Sequence, residues 1–239
     1  MCKTSSSLPV RIVLLILSAL ALSGCLLPSE YRHRPVVGDD QAIAVLDVSS
    51  IIQDQWEELQ FKGSTEYRIV SSGAKPVIWA SGRKSASGLI RFIELDASQC
   101  PTIEWSWRVD QLQADADLHH RSSEDVAASI YLLFGDPGLL SNPDLVPTLR
   151  YVWTNSKASE NSVIHSPYLP NIVRSVIVRA GPAKPGRWLS ESRNIAEDYQ
   201  LAFGSAPPDK IQAVVLFTDN DQTEQPVESG YAWIRVTCQ

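Results

Sequence analysis

Thr102-Ile103-Glu104-Trp105-Ser106-Trp107-Arg108-Val109 alternates apolar and polar side chains without a break. Successive side chains of a strand point to opposite faces, so Ile103, Trp105, Trp107 and Val109 share one face and Glu104, Ser106 and Arg108 the other. Two tryptophans on the apolar face read as part of a packed core. The pattern extends in both directions. Short β-branched or aromatic runs bounded by turn residues occupy 43–48, 65–70, 76–80, 89–95, 126–134, 149–154, 172–179, 211–218 and 231–237. There is no βαβ alternation, so the expectation is a mainly β domain, a sandwich or a barrel.

One helix interrupts this pattern, inside the stretch WLSESRNIAEDYQLAFGSAPPDKIQAVVLFTDNDQT from Trp188 to Thr223. Asn194 reads as an N-cap with Glu197 three residues on, and Ile195, Tyr199, Ala202 and Phe203 form an apolar stripe. Gly204 suits the left-handed C′ position, and Pro207-Pro208 prevent continuation. The helix is therefore predicted near residues 194–203. The strand that follows stops at Asp219-Asn220-Asp221.

In that turn Asp219-x-Asp221-x-Thr223 spaces oxygen donors two apart, as a calcium loop does. It lacks the glycine and the distant glutamate of an EF-hand. Asp219, Asp221 and Thr223 are candidate ligands of a structural calcium; Asx-type hydrogen bonding that ends a strand is the other reading. In the last strand Ala232, Ile234 and Val236 make an apolar face, with Tyr231, Trp233, Arg235 and Thr237 opposite. Aromatic residues interleaved with polar ones suit a sugar platform, and equally a face covered by a loop.

The chain of 239 residues carries a formal charge of -6 and a pI near 5.2, which argues against nucleic acid and against electrostatic docking on anionic lipid. Lys3 and Arg11 form a positive region ahead of an apolar run over 12–22 that is short for a stable membrane span. Leu22-Ser23-Gly24-Cys25 resembles the bacterial lipoprotein lipobox. That resemblance implies cleavage before Cys25 and acylation of its sulfur, palmitate included. Leu26, in place of Asp, favours the outer membrane. The expected organisation is a signal peptide over 1–24, a polar tether over 25–40 with Pro28 and Pro35, and a domain over 41–239. Cleavage lowers the basic count from 21 to 19 against 27 acids, a formal charge of -8. Cys100 and Cys238 remain as an even pair in an oxidising compartment, where a disulfide is expected; two unpaired buried thiols are the other reading. No Cys/His spacing suits a metal, and His119-His120 reads as a polar loop.

Together these residues resemble the bacterial domain-of-unknown-function family 3047 (DUF3047) over about 56–236. The likeness rests on Phe61-Lys62-Gly63-Ser64-Thr65-Glu66-Tyr67, Ser85-Ala86-Ser87-Gly88-Leu89, Trp105-Ser106-Trp107-Arg108-Val109, Glu124-Asp125 and Tyr151-Val152-Trp153. It continues through Trp188-Leu189-Ser190-Glu191-Ser192-Arg193-Asn194, Glu197-Asp198-Tyr199, Phe203-Gly204, Pro207-Pro208 and Thr218-Asp219-Asn220-Asp221-Gln222-Thr223. The chain departs from the family pattern at Ala127-Ala128-Ser129, where an Arg is usual, and at Asn220 and Gln222. The resemblance implies an antiparallel β-sandwich of the jelly-roll, galactose-binding-like kind, exported to the periplasm or cell surface. It assigns no activity.

The expected function is a cell-envelope lipoprotein acting as a binding module for carbohydrate, held on the membrane by its lipid and facing the periplasm. Trp153, Glu191, Arg193, Asp198, Tyr231 and Trp233 are the candidate ligand-binding residues. The alternatives are an envelope assembly protein with a protein partner, or a carbohydrate-active hydrolase or lyase. An enzyme would need two placed acids, and Glu191, Asp198, Asp125, Asp219 and Asp221, with Arg193 beside them, are the groups to draw on. Their spacing shows no convergence and leaves catalytic residues unassigned.

Overall fold

The alternation that opens at Thr102 runs on to Gln111, and this strand (β6, Thr102–Gln111) is central to one of two sheets. The computed structural model describes residues 42–47, 55–134, 146–155, 157–182, 186–208 and 210–239. The expected signal peptide, Cys25 and the tether lie outside the described residues. The remaining strands are β1 (Ala42–Leu46), β2 (Glu57–Lys62), β3 (Glu66–Ser72), β4 (Lys75–Gly82), β5 (Ala86–Asp96), β7 (Ala128–Leu133) and β8 (Thr148–Thr154). They continue with β9 (Val163–His165), β10 (Val173–Ala180), β11 (Leu189–Asn194), β12 (Lys210–Asp219) and β13 (Val227–Thr237). The helix α1 spans Ile195–Phe203.

One sheet has the order β11-β6-β13-β4-β3; β1 also joins β13, so the long β13 is flanked on one side by β4 and then by β1. The other sheet has the order β2-β5-β12-β7-β8-β10-β9. Pairing is antiparallel except between β8 and β10, which run parallel. Each of the ten expected strands is present, and β2, β9 and β11 are additions. Among the described residues the fold is the expected β-sandwich with one helix. No helix among the described residues is long and apolar enough to cross a membrane.

The inward faces meet in one core. Trp105 and Trp107 of β6 are fully buried, with the Trp105 ring 5.0 Å from Tyr151 and the Trp107 ring 5.5 Å from Trp153, both from the facing sheet. Each such ring removes roughly 150–250 Å² from water, about 4–6 kcal/mol before the cost of ordering it. A second apolar layer, including Ile90, Val152, Ile164, Ile177, Val215 and Phe217, lies on the other face of the seven-stranded sheet, where Leu118 and Val126 of the connecting loops join it.

The helix has the expected ends. Asn194 Oδ1 accepts from Glu197 N–H at 3.1 Å, and Gly204 closes the helix in the left-handed conformation, φ 76°. Ile195, Tyr199 and Ala202 are buried, and Tyr199 packs edge-on against Phe134 at 4.7 Å. The Sγ atoms of Cys100 and Cys238 are 2.10 Å apart, a disulfide that joins the chain ahead of β6 to the chain after β13.

Candidate functional site

The outer face of the six-stranded sheet is set by a bulge in β13. Tyr231 is opposite Trp107, but Trp233 is opposite Ser106, so Ala232 is an extra residue. Tyr231 therefore stays on the core face with Ile234 and Val236, while Trp233 and Arg235 point outward. The expected shared face of Tyr231 and Trp233 is corrected, because an inserted residue reverses every later side chain. The buried Tyr231 hydroxyl donates to Phe217 O at 2.8 Å, accepts from Ser129 N–H at 3.2 Å and lies 2.8 Å from Thr218 Oγ1. Burial pushes its pKa up to about 12. It ties the two sheets together.

Outward from β13 runs a row of cross-strand neighbours: Arg68 opposite Trp79, Trp79 opposite Gly230, and Gly230 opposite Arg108. Leu189 is opposite Trp107, which brings the preceding residue, Trp188, into line with Arg108. Only glycine fits at position 230. A Cβ there would lie 2.8 Å from Trp188 Cη2 and 2.9 Å from Trp79 Cε3. Trp188 Nε1–H donates to Ser72 Oγ at 3.1 Å. The Arg108 guanidinium sits 5.1 Å from the Trp79 ring and donates through Nε to Asp110 Oδ1 at 2.6 Å. That bond holds the Asp110 carboxyl below its ordinary range.

The next outward rows carry Trp233, Ser106 and Ser190, then Arg235, Glu104 and Ser192. Arg235 lies 4.7 Å from the Trp233 ring. Trp79, Trp188 and Trp233 are all partly exposed. At one end the face opens into a groove of about 490 Å³ whose lining includes Arg68, Gln111, Asn220, Glu224 and Glu228.

The other expected ligand-binding residues lie elsewhere. Trp153 is buried, its ring against Trp107 and its Nε1–H donating to Gly181 O at 3.0 Å. Glu191 accepts from Trp107 Nε1–H at 3.2 Å and binds Arg179 of β10 through both oxygens, at 2.7 and 2.9 Å. Arg193 forks onto Asp198 of α1 and also reaches Asn161 Oδ1 at 2.9 Å. Trp153, Glu191, Arg193 and Asp198 thus line the seam where β11 and α1 meet the seven-stranded sheet. Their polar atoms are engaged by Gly181, Trp107, Arg179 and Asn161 and by the Arg193–Asp198 pair, so they stitch the seam.

The acidic turn brings Asp219 and Asp221, both expected candidates, together with Asp125. Asp219 at the end of β12, Asp221 after it and Asp125 from the loop before β7 converge, one oxygen of each within 4.8 Å of the others. All three are buried. Asp219 Oδ1 accepts from Val126 N–H at 2.7 Å, and Asp125 accepts from the N–H groups of Gln222 and Thr223 at 3.2 and 2.7 Å. Turn and loop therefore clamp each other. Burial, and then the neighbouring Asp125, raise the Asp219 pKa well above the carboxylate range. Thr223 Oγ1 accepts from Gln225 N–H at 3.3 Å in a local turn. Asn220 faces the other way: its side chain holds Ser85 N–H, Gly82 O and Gln225 O at 2.8–3.2 Å.

A family model described as a protein of unknown function, DUF3047, matches residues 54–235. The chain belongs to the DUF3047 family. No curated protein matches it. Among solved structures, this DUF3047 domain is similar to the family 11 carbohydrate-binding module of a cellulosomal cellulase of Clostridium thermocellum, at 11% identity and TM-score 0.45, covering 85% of this chain and 96% of that one. It is similar to an adhesin domain of the Lys-gingipain of Porphyromonas gingivalis, at 14% identity and TM-score 0.42, covering 81% and 99%. A family 30 carbohydrate-binding module of another C. thermocellum cellulase follows at 9% identity and TM-score 0.38, covering 77% and 92%.

Sequence reasoning reached Trp233 on the outward face but not Trp79, Trp188 or Gly230. Trp79 sits in the continuous apolar run Val77-Ile78-Trp79-Ala80, which assigns no face, and Trp188 precedes a strand with no apolar alternation. Asp125 was visible as an acid, but its partners are remote in sequence.

Proposed function

We propose that the protein is an exported lipoprotein, anchored through lipid on Cys25 in the outer membrane and facing the periplasm, that binds carbohydrate on the outer face of its six-stranded sheet. The supporting observation is the pair of indoles seated on Gly230, with Trp233 one row along. Sugar rings have apolar faces that stack on flat aromatic surfaces, and their hydroxyls need polar partners fixed in advance. Arg108 locked on Asp110, Arg235 over Trp233, and the adjoining groove with Gln111 and Glu228 provide such partners.

A protein-docking role would favour one contiguous apolar patch. The large exposed apolar residues among those described, Phe61, Ile69, Tyr168 and Leu201, are instead spread over four separate elements. A hydrolase or lyase needs its acids against substrate, whereas the three acids that converge here are buried.

A glycan array probed with the purified protein, followed by calorimetry on each hit, tests the reading. Trp79→Ala and Trp233→Ala are each expected to weaken a hit at least tenfold, since stacked aromatic anchors dominate such sites. Lys210→Ala, on the other sheet, is expected to leave it unchanged. An array without hits, or hits that survive both tryptophan substitutions, overturns the proposal.

A further inference from the structure

The structure assigns a second site, independent of the glycan face: Asp125, Asp219 and Asp221 bind a divalent cation, calcium by the chemistry of the donors, where β12 ends against the loop before β7.

Convergence of acids alone would not carry this, because turn and loop hold two of the three in place through backbone N–H groups. The deciding atom is Asp221 Oδ1. Buried polar atoms almost always have a partner. Asp221 is nine-tenths buried, yet its Oδ1 accepts no hydrogen bond. Its Oδ2 is held by Lys62 Nζ at 3.2 Å, and the same ammonium donates to Asp221 O at 3.0 Å. So the side chain is fixed, and one of its two oxygens lacks any positive partner. Gln222 Oε1 in the same turn is likewise buried without a donor.

The charge balance points the same way. Three carboxylates meet one ammonium, and Lys62 reaches them from the rim, its side chain 62% exposed. The neighbouring Glu124 brings no spare cation, because its own partner, Arg150 at 2.6 Å, is matched to it. A buried charge left uncompensated either takes up a proton or attracts a counter-ion. A cation bound between the three carboxylates would supply that counter-charge.

The donors choose the ion. All are oxygens, with no imidazole or thiolate, which suits hard cations and not zinc or copper. Two oxygens bound to one calcium at about 2.4 Å are at most about 4.8 Å apart, so the three carboxylates reach a common ion with little movement. Calcium also tolerates the irregular, partly backbone-framed geometry of a strand end, where magnesium demands near-ideal octahedral placement.

The test is thermal unfolding and calorimetry of the purified protein, stripped with EDTA and titrated with calcium chloride. Calcium at a hundredfold excess over its Kd is expected to raise the midpoint by about 5–10 °C, and excess EDTA to reverse the rise. Asp219→Asn keeps the side chain's size and an oxygen for Val126 N–H but removes the charge, so its calcium affinity is expected to fall at least tenfold. Lys62→Ala removes the competing ammonium at an exposed position and should tighten calcium binding; it keeps the test decisive if Asp219→Asn does not fold. Three results overturn the assignment. One is no shift and no heat with calcium, magnesium or manganese chloride, which leaves a shared proton as the occupant. The second is a shift that both variants retain unaltered, which places the ion elsewhere. The third is a response to magnesium at concentrations equal to or below those needed with calcium.

Discussion

Trp79 and Gly230 face each other across β4 and β13 so closely that a methyl group on Gly230 would sit 2.9 Å from the indole Cε3. Trp188 closes the space from the other side at 2.8 Å. Gly230→Ala is therefore expected to lower stability by about 1–3 kcal/mol, as overpacking does, and to weaken any glycan at least tenfold by displacing both indoles. Urea unfolding and calorimetry would measure the two effects. Unchanged stability would mean the rings do not rest on the strand.

Asp219 should give the metal-free protein a distinctive pH dependence. Unfolded, its carboxyl releases its proton near the ordinary 3.8; folded, it keeps the proton well above that value, chiefly through burial. The folded state thus holds the extra proton, and this group's contribution to stability is full below the unfolded value and is lost as pH rises through the folded one. Urea titrations in EDTA at several pH values should show wild type losing stability across that window and Asp219→Asn losing less. Equal slopes would dispose of the idea.

The Cys100–Cys238 bridge closes a loop spanning 138 positions. Reduction, or replacement of both cysteines by serine, is expected to cost about 2–5 kcal/mol. Urea midpoints with and without reductant measure it, and coincident midpoints would show that the bridge does not form in solution.

Cys25→Ser should abolish labelling by radioactive palmitate and move the protein from the membrane fraction to the soluble one. Both outcomes follow from the lipid proposed on Cys25, since its acyl chains are what would hold the protein on the membrane. Continued membrane fractionation of the variant would contradict the anchor.

Elements with one buried face were legible in the sequence, since burial imposes period two on β6 and caps on α1. β8 and β12, buried on both faces, were legible too, as runs of β-branched and aromatic residues; elements with little apolar burial were not. β2 is an edge strand with the sequence Glu-Glu-Leu-Gln-Phe-Lys, mostly exposed, and β11 turns Glu191 and Arg193 inward to meet partners on other elements. The bulge at Ala232 carries no mark in the sequence, yet it alone decides that Tyr231 is core and Trp233 surface. Convergence of Asp125 with Asp219 depends on how a long loop returns to a strand end, which local spacing cannot encode.

The length of β13 gives the molecule a polarity along one strand. Ala42, where the chain enters the domain, is opposite Thr237 at one end; Gly82, which lines the groove, is opposite Val227 at the other. The ten steps between Val227 and Thr237 span about 33 Å at about 3.3 Å each. The lipid anchor proposed at Cys25 would therefore join the domain at one pole of this strand, with the groove at the other.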